Sequence, residues 1–326
     1  MNISLKFYKL SLALLMSLFF MSCDIDDNNE SYPLPLSTIA EFAANNIDLS
    51  NLAAALNAAD GNLLSLLNGG DYTLLAPNNF AFEIFLGKNG FNSIDEVPKD
   101  ILKNILLNHV ISGTVKSSDL AAAVSGYTST NATNTDGNFL SMYFSTNNGV
   151  VFNGVSTVLN PDIAASNGVM HVVDALIELP TVVTFATANP GFETLVAALT
   201  RDDLSEDFVS ILSTTIEPAP FTVFAPTNEA FSSLFSELGV ESLNDIDTAT
   251  LESTLGTHVV AKANVRSEDL FNGMLITTIG DDLTISVGTG PQLVDMNSRT
   301  ANIIAADIQA YNGVIHVIDN VMLPKL

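Results

Sequence analysis

The amino-acid sequence predicts an α+β fold built twice in tandem, and three observations carry that prediction. The string Asn167-Gly168-Val169-Met170-His171-Val172-Val173-Asp174, closing at Pro180, returns as Asn312-Gly313-Val314-Ile315-His316-Val317-Ile318-Asp319, closing at Pro324. Within each half the apolar residues recur first at helical spacing and later in short alternating runs between Gly, Asn and Asp turns. Helices first and antiparallel strands afterwards is the α+β order. The chain has 326 residues, 47% of them hydrophobic, enough for two domains that each bury a core.

Matching the halves in order makes the duplication explicit. Thr38, Phe42, Leu52 and Leu56 answer Thr181, Phe185, Leu195 and Leu199 at an offset of 143. Ala76-Pro77-Asn78-Asn79-Phe80-Ala81-Phe82 answers Ala225-Pro226-Thr227-Asn228-Glu229-Ala230-Phe231 at 149, as His109 answers His258. Asp162-Ile163 answers Asp307-Ile308, and His171 answers His316, at 145. The rise from 143 to 149 marks a six-residue insertion within residues 201–217. The boundaries that follow are a first domain over 36–180 and a second over 181–326, with no linker, so the two are expected to abut.

Each half opens on a helical stripe, Ile39, Phe42, Leu49, Leu52 and Leu56 or Val182, Phe185, Leu195, Val196 and Leu199. A strand follows, 72–76 or 221–225, ended by Pro77 or Pro226. Asn78, Asn79, Thr227 and Asn228 offer side-chain acceptors to cap the next helix, whose buried face carries Phe82, Phe85, Phe231 and Phe235. A further helix begins at Pro98 and aligns Ile101, Leu102, Ile105, Leu106 and His109 on one stripe, matched by Leu251, Leu255 and His258. Hairpins are expected over 139–144, 150–152 and 155–159, and over 275–279, 283–287 and 303–305. The Thr/Asn/Ser-rich residues 127–138, without an equal counterpart, read as an exposed loop and as the place for contacts specific to one repeat.

Lys6 and Lys9 precede an apolar run from Leu10 to Met21 that is short for a membrane span, so residues 1–22 read as a signal peptide. Cys23, the only cysteine, follows that run where a lipoprotein carries its acyl chains, and two or more chains hold a protein stably on a membrane. Residues 23–35, with Asp24, Asp26, Asp27 and Glu30, form an acidic tether. The expected place is therefore the outer membrane, exposed at the cell surface, with the membrane touched only through the lipid; a periplasm-facing or secreted protein is the alternative. The formal charge of −25 becomes −27 once Lys6 and Lys9 leave, when 9 basic residues face 36 acidic ones. Such a surface repels nucleic acid and anionic headgroups.

The strings Phe221-Thr222-Val223-Phe224-Ala225-Pro226-Thr227-Asn228-Glu229-Ala230-Phe231 and Gly313-Val314-Ile315-His316-Val317-Ile318-Asp319 resemble the two signature regions of the fasciclin-like domain family. Both occur twice, in order, over residues 36–326. The resemblance implies two wedge-shaped β-sandwiches with packed helices, and a role in extracellular adhesion. Animal members contact integrins through a Tyr-His pair and an Asp-Ile pair. The second falls on Asp162-Ile163 and Asp307-Ile308, which the resemblance marks as candidate ligand contacts. The first falls on Asn108-His109 and Thr257-His258, where the tyrosine is missing. Bacterial relatives are associated with attachment in glycan-rich settings.

The residues themselves offer little catalytic chemistry. His109 and His258 share a stripe with leucines, and His171 and His316 alternate with valines and isoleucines, so all four read as packed structural histidines. Zinc needs three or four converging ligands, and two histidines per repeat without a free thiol do not make that set, so no metal or cofactor is expected. No Gly-x-Ser-x-Gly elbow or glycine-rich phosphate loop is present. The acids at 202, 203, 206 and 207 lack the spacing of a calcium loop and read as a solvated face. The reading is a non-enzymatic, lipid-anchored surface protein that binds an extracellular glycan or a matrix or surface protein. A structural part of an envelope assembly and a polysaccharide-processing enzyme are the alternatives.

Overall fold

The structure, a computed structural model, describes residues 36–59, 63–288 and 290–325. The expected signal peptide over 1–22, the acylation site Cys23 and the tether through residue 35 lie outside the described residues.

The first half starts with α1 (Ile39–Asn45), α2 (Ser50–Ala58) and α3 (Leu63–Asn68). The single stripe expected there is broken because Asn46 takes an extended backbone and accepts the Asp48 N–H on its side chain, turning the chain between two helices. Next come β1 (Tyr72–Pro77), α4 (Asn79–Asn89), α5 (Lys99–Asn108), β2 (Val110–Ser112) and α6 (Ser117–Ala123). Asn78 caps α4 by accepting from Ala81 N–H, and Gly90, at φ 74°, ends it. The strands β3 (Ser125–Thr133), β4 (Phe139–Ser145), β5 (Val151–Phe152), β6 (Ser156–Ala165) and β7 (Gly168–Val173) complete the half.

The second half repeats the order: α7 (Val182–Ala188), α8 (Glu193–Leu199), α9 (Phe208–Ser213), β8 (Phe221–Pro226), α10 (Asn228–Leu238), α11 (Thr248–Thr257) and β9 (Val259–Ala261). A 3₁₀ turn, Ser267–Asp269, stands where the first half has α6. Then follow β10 (Leu275–Ile276), β11 (Leu283–Val287), β12 (Pro291–Val294), β13 (Thr300–Ala310) and β14 (Gly313–Ile318). Strand β12 falls outside the runs expected from alternation; its proline sits at the first position, where a missing N–H does least harm.

Each half holds one seven-stranded sheet, ordered β2-β1-β7-β6-β5-β4-β3 and β10-β11-β12-β13-β14-β8-β9. The expected antiparallel character is modified at one place in each: β1 pairs β7, and β8 pairs β14, in parallel. The sheet folds on itself, because Leu75 and Val173 pack with Met142, Phe144 and Phe152 on one side, while Leu74, Met170 and Val172 meet the helices on the other. The Asn-Gly turn has a second duty here. A Cβ on Gly168 would lie 1.9 Å from the Tyr72 carbonyl oxygen, and one on Gly313 2.2 Å from that of Phe221, so only glycine lets the parallel strands begin together.

Residues 127–138 are not the exposed loop their composition suggests. They form most of β3 and its turn, with Thr130 and Ala132 buried. The polar side chains are consumed by neighbours: Asn104 pairs with both backbone groups of Thr133, Asn131 donates to Val110 O, and Thr130 donates to Asn108. Strands β3 and β4, with the turn between them, also join the halves. Tyr127 meets Phe185 edge-on at 5.6 Å and accepts a hydrogen bond from Asn189, while Tyr143 packs into the core of the second half. Gln309 N–H donates to Ser141 and Arg266 to Asn138.

Candidate functional site

The four histidines divide into two pairs by position. His109 and His258 cap the C-termini of α5 and α11 and are buried. Nδ1–H of His109 donates to Ile105 O at 2.8 Å and Nε2 accepts from Ile177 N–H at 2.9 Å. His258 does the same with Thr254 O and Met322 N–H. A backbone N–H can only donate, so both imidazoles are neutral, and burial pulls each down to about 4 against the smaller opposing effect of the backbone bond. Each ring ties a helix end to the chain leaving the last strand.

His171 and His316 lie buried on β7 and β14. His171 donates through Nε2 to Val115 O at 2.9 Å and accepts at Nδ1 from Asp162 N–H at 3.2 Å. His316 donates to Val265 O at 2.9 Å and stacks on Phe224, while its buried Nδ1 has no partner. Burial lowers the pKa of His316. The rings of both pairs face backbone. Among the described residues no three His, Cys, Asp or Glu side chains converge in a way that would hold a metal ion.

The Asp-Ile pairs sit on bulges of β6 and β13, with Asp162 and Asp307 both at φ 58°, a left-handed conformation that aspartate tolerates. Ser117 donates its N–H to Asp162 at 2.8 Å together with its hydroxyl, and Ser267 treats Asp307 the same way. Desolvation acts to raise the pKa of Asp162, but the two Ser117 bonds, with His171 and Lys116 nearby, hold it below the usual carboxylate range. Ile308 is 4% exposed and belongs to the core of the second half, and Ile163 is half-buried. What each pair presents to the outside is therefore the aspartate. Where the resemblance expects a tyrosine, Asn108 and Thr257 are buried and bonded to backbone.

The two aspartates have different surroundings. Asp307 lines a cleft of about 350 Å³ between the halves, with Ser129, Asn138, Phe139, Arg266 and Gln309. Nothing local in the sequence pairs Asn138 with Arg266, 128 positions away; the available signal was the scarcity of basic residues, 11 in the whole chain. Among the described residues no single helix is long and apolar enough to cross a membrane.

The Fasciclin domain model matches residues 47–180 and again 190–324. Protein sll1483 of Synechocystis is 38% identical over 146 residues, 45% of this chain and 74% of that protein. The transforming growth factor-beta-induced protein ig-h3 of Sus scrofa is 28% identical over 264 residues, 77% of this chain but only 34% of that protein. Among solved structures, a FAS1 domain pair from the insect cell adhesion molecule Fasciclin I superposes with a TM-score of 0.50 at 19% identity, covering 86% of this chain and 97% of that one, a likeness of fold. Two matches of the domain model, one in each half and spanning most of the sequence, establish that the chain belongs to the Fasciclin domain family.

Proposed function

We propose that this is a lipid-anchored, non-enzymatic surface protein that binds a glycan or protein outside the cell. Fasciclin domains are linked to cell adhesion and to surface or matrix proteins, and the solved domain pair comes from a molecule described as one of cell adhesion. The observation that carries the reading is the cleft at Asp307. A carboxylate, the Arg266 guanidinium, two amides and two hydroxyls surround it, and Phe139, largely exposed, offers a flat apolar ring beside them. That mixture suits a hydroxyl-rich ligand, whose polar edges need donors and acceptors and whose carbon face needs an apolar platform. His109, His171 and His258 engage backbone through both ring nitrogens, and His316 does so through Nε2 with its Nδ1 buried, so none stands open to solvent as a general base. Cys23 is the anchor in this reading.

The test displays full-length protein on cells and probes it with arrays of oligosaccharides and matrix proteins. Asp307→Asn is expected to weaken the bound ligand by about tenfold, as for a central interface contact. Asp162→Asn, at the open counterpart, should leave it unchanged. Cys23→Ser should move the protein from the membrane to the soluble fraction. Equal binding by the Asp307 variant, or a protein that stays membrane-bound without Cys23, would refute the corresponding part.

A further inference from the structure

One face of the first half has no equivalent in the second. Phe80 and Ile84, one turn apart on α4, are 62% and 50% exposed; Val155, in the turn before β6, and Leu159, within β6, are 60% and 51% exposed. Residues four apart share a face on a helix, so Phe80 and Ile84 point the same way. Ile84 and Val155 line one cleft and Phe80 and Leu159 line another, so the four make a single apolar strip between helix and strand. The counterparts in the second half are Glu229, Ser233, Thr300 and Ile304.

The strip runs into a groove of about 400 Å³ whose walls include Ala81, Phe85, Lys88 and Leu176. Asn153 also lines it; its Oδ1 accepts from Tyr143 N–H at 2.9 Å, while the buried Nδ2 has no partner. In the second half the matching wall residues, Glu237 for Lys88 and Val321 for Leu176, are bridged by Arg299, which donates to the Glu237 carboxylate and to Val321 O. Arg299 stands just before β13 as Gly154 stands just before Val155 and β6. The second half thus fills this groove with its own arginine, and the first leaves it open. An open, largely apolar groove is the usual form of a binding site.

Resting on the reading of the chain as a binding protein, we propose that this face docks a polypeptide segment of a partner protein. The segment brings two apolar side chains, one for the strip and one for the groove, flanked by lysine or arginine. The four exposed side chains that mark the strip are all apolar, which suits side-chain anchors better than sugar hydroxyls. Its rim is acidic: Asp48 and Glu83 border the Phe80 end, and at the groove Glu178 already neutralises Lys88 at 2.6 Å. With a chain charge of −25, the complementary partner is basic.

The test uses full-length protein in neutral lipid vesicles and a random peptide library displayed on phage. Enriched peptides are expected to carry paired apolar residues beside Lys or Arg. They should lose about tenfold or more of their affinity to the Phe80→Ser/Ile84→Ser variant, and a few-fold to Glu83→Lys, while Ile304→Ser in the second half changes nothing. These substitutions are on exposed residues, so an unchanged thermal midpoint checks that the fold is kept. Peptides that are acidic, or that bind the double variant as well as the parent, overturn the proposal. An oligosaccharide lost with the same double variant would make the face a glycan site, overturning the polypeptide assignment but not the binding reading. Silence from peptides and from glycan and protein arrays alike would remove both.

Discussion

Lys88 and Glu237 stand at the same turn of α4 and α10, yet their environments differ. Lys88 is an exposed partner of Glu178 at the mouth of an open groove, while Glu237 holds Arg299, which is also 3.5 Å from buried Asp295, across a closed one. The same contrast recurs at the bulges, where Asp162 is on open surface and Asp307 borders the cleft between halves. The frame is shared: the parallel strand pair, the glycine at its start and the histidine that ties helix to tail occur in both. The lesson is that a duplicated core can hold constant what folding needs while the rims diverge. The first half keeps apolar surface and an open groove, and the second spends its equivalent residues on its own closure.

The strongest way to break the comparison is at the shared frame. Gly168→Ala and Gly313→Ala each force a Cβ into a carbonyl oxygen of the paired strand, and each is expected to cost more than about 4 kcal/mol. Because Tyr143 of the first half packs in the core of the second, hydrogen exchange in β1 and β7 should also accelerate in Gly313→Ala. Unaltered exchange there would mean that the halves are stabilised independently.

Acid should separate the halves next. His109 and His258 have folded values near 4, below the ordinary 6.5, so the unfolded chain takes up their protons first. Their contribution is complete above about pH 6.5 and is lost as pH falls toward 4, by about 2 kcal/mol each at pH 5 and about 3 at pH 4. Buried His316 adds a loss of the same sign in the second half. Urea unfolding at pH 7 and pH 5, followed by exchange in each sheet, is expected to show the second half failing first. A first half that fails earlier would contradict this.

The smallest effects sharpen the contrast at the groove. Arg299→Met removes a largely buried guanidinium from Glu237, from Val321 O and from the neighbourhood of buried Asp295, and is expected to cost about 2 kcal/mol. Lys88→Met breaks an exposed pair and should cost no more than about 0.5 kcal/mol. Denaturant midpoints of the two variants decide it; equal losses would mean that the grooves are not differently closed.

Much of the fold was legible because its signals are local. A cap such as Asn78 or Thr227 sits within three residues of the N–H it serves, and the Asn-Gly turns that open β7 and β14 are adjacent letters. The break of the opening stripe at Asn46, by contrast, hinges on a single side-chain bond. The parallel pairing of β1 with β7 joins residues nearly a hundred positions apart, and alternation within either strand says nothing about direction. Composition misled at residues 127–138, because Asn and Thr signal a loop only when their hydrogen bonds go to water. Here they go to α5 and β2. Ile308 shows the same limit at the candidate site: the resemblance pairs it with Asp307, but its side chain is taken by the core.

By itself the sequence determined that one α+β unit is present twice, because periodicity, caps and turns act over a few residues and were copied together. Tertiary structure alone decided which surfaces are left over. Whether a groove is open depends on Arg299 reaching Glu237 across 62 positions, and whether an aspartate borders a cleft depends on the other half lying against it. Such contacts are set by packing in space, where neighbours distant along the chain compete for the same volume and the same hydrogen bonds.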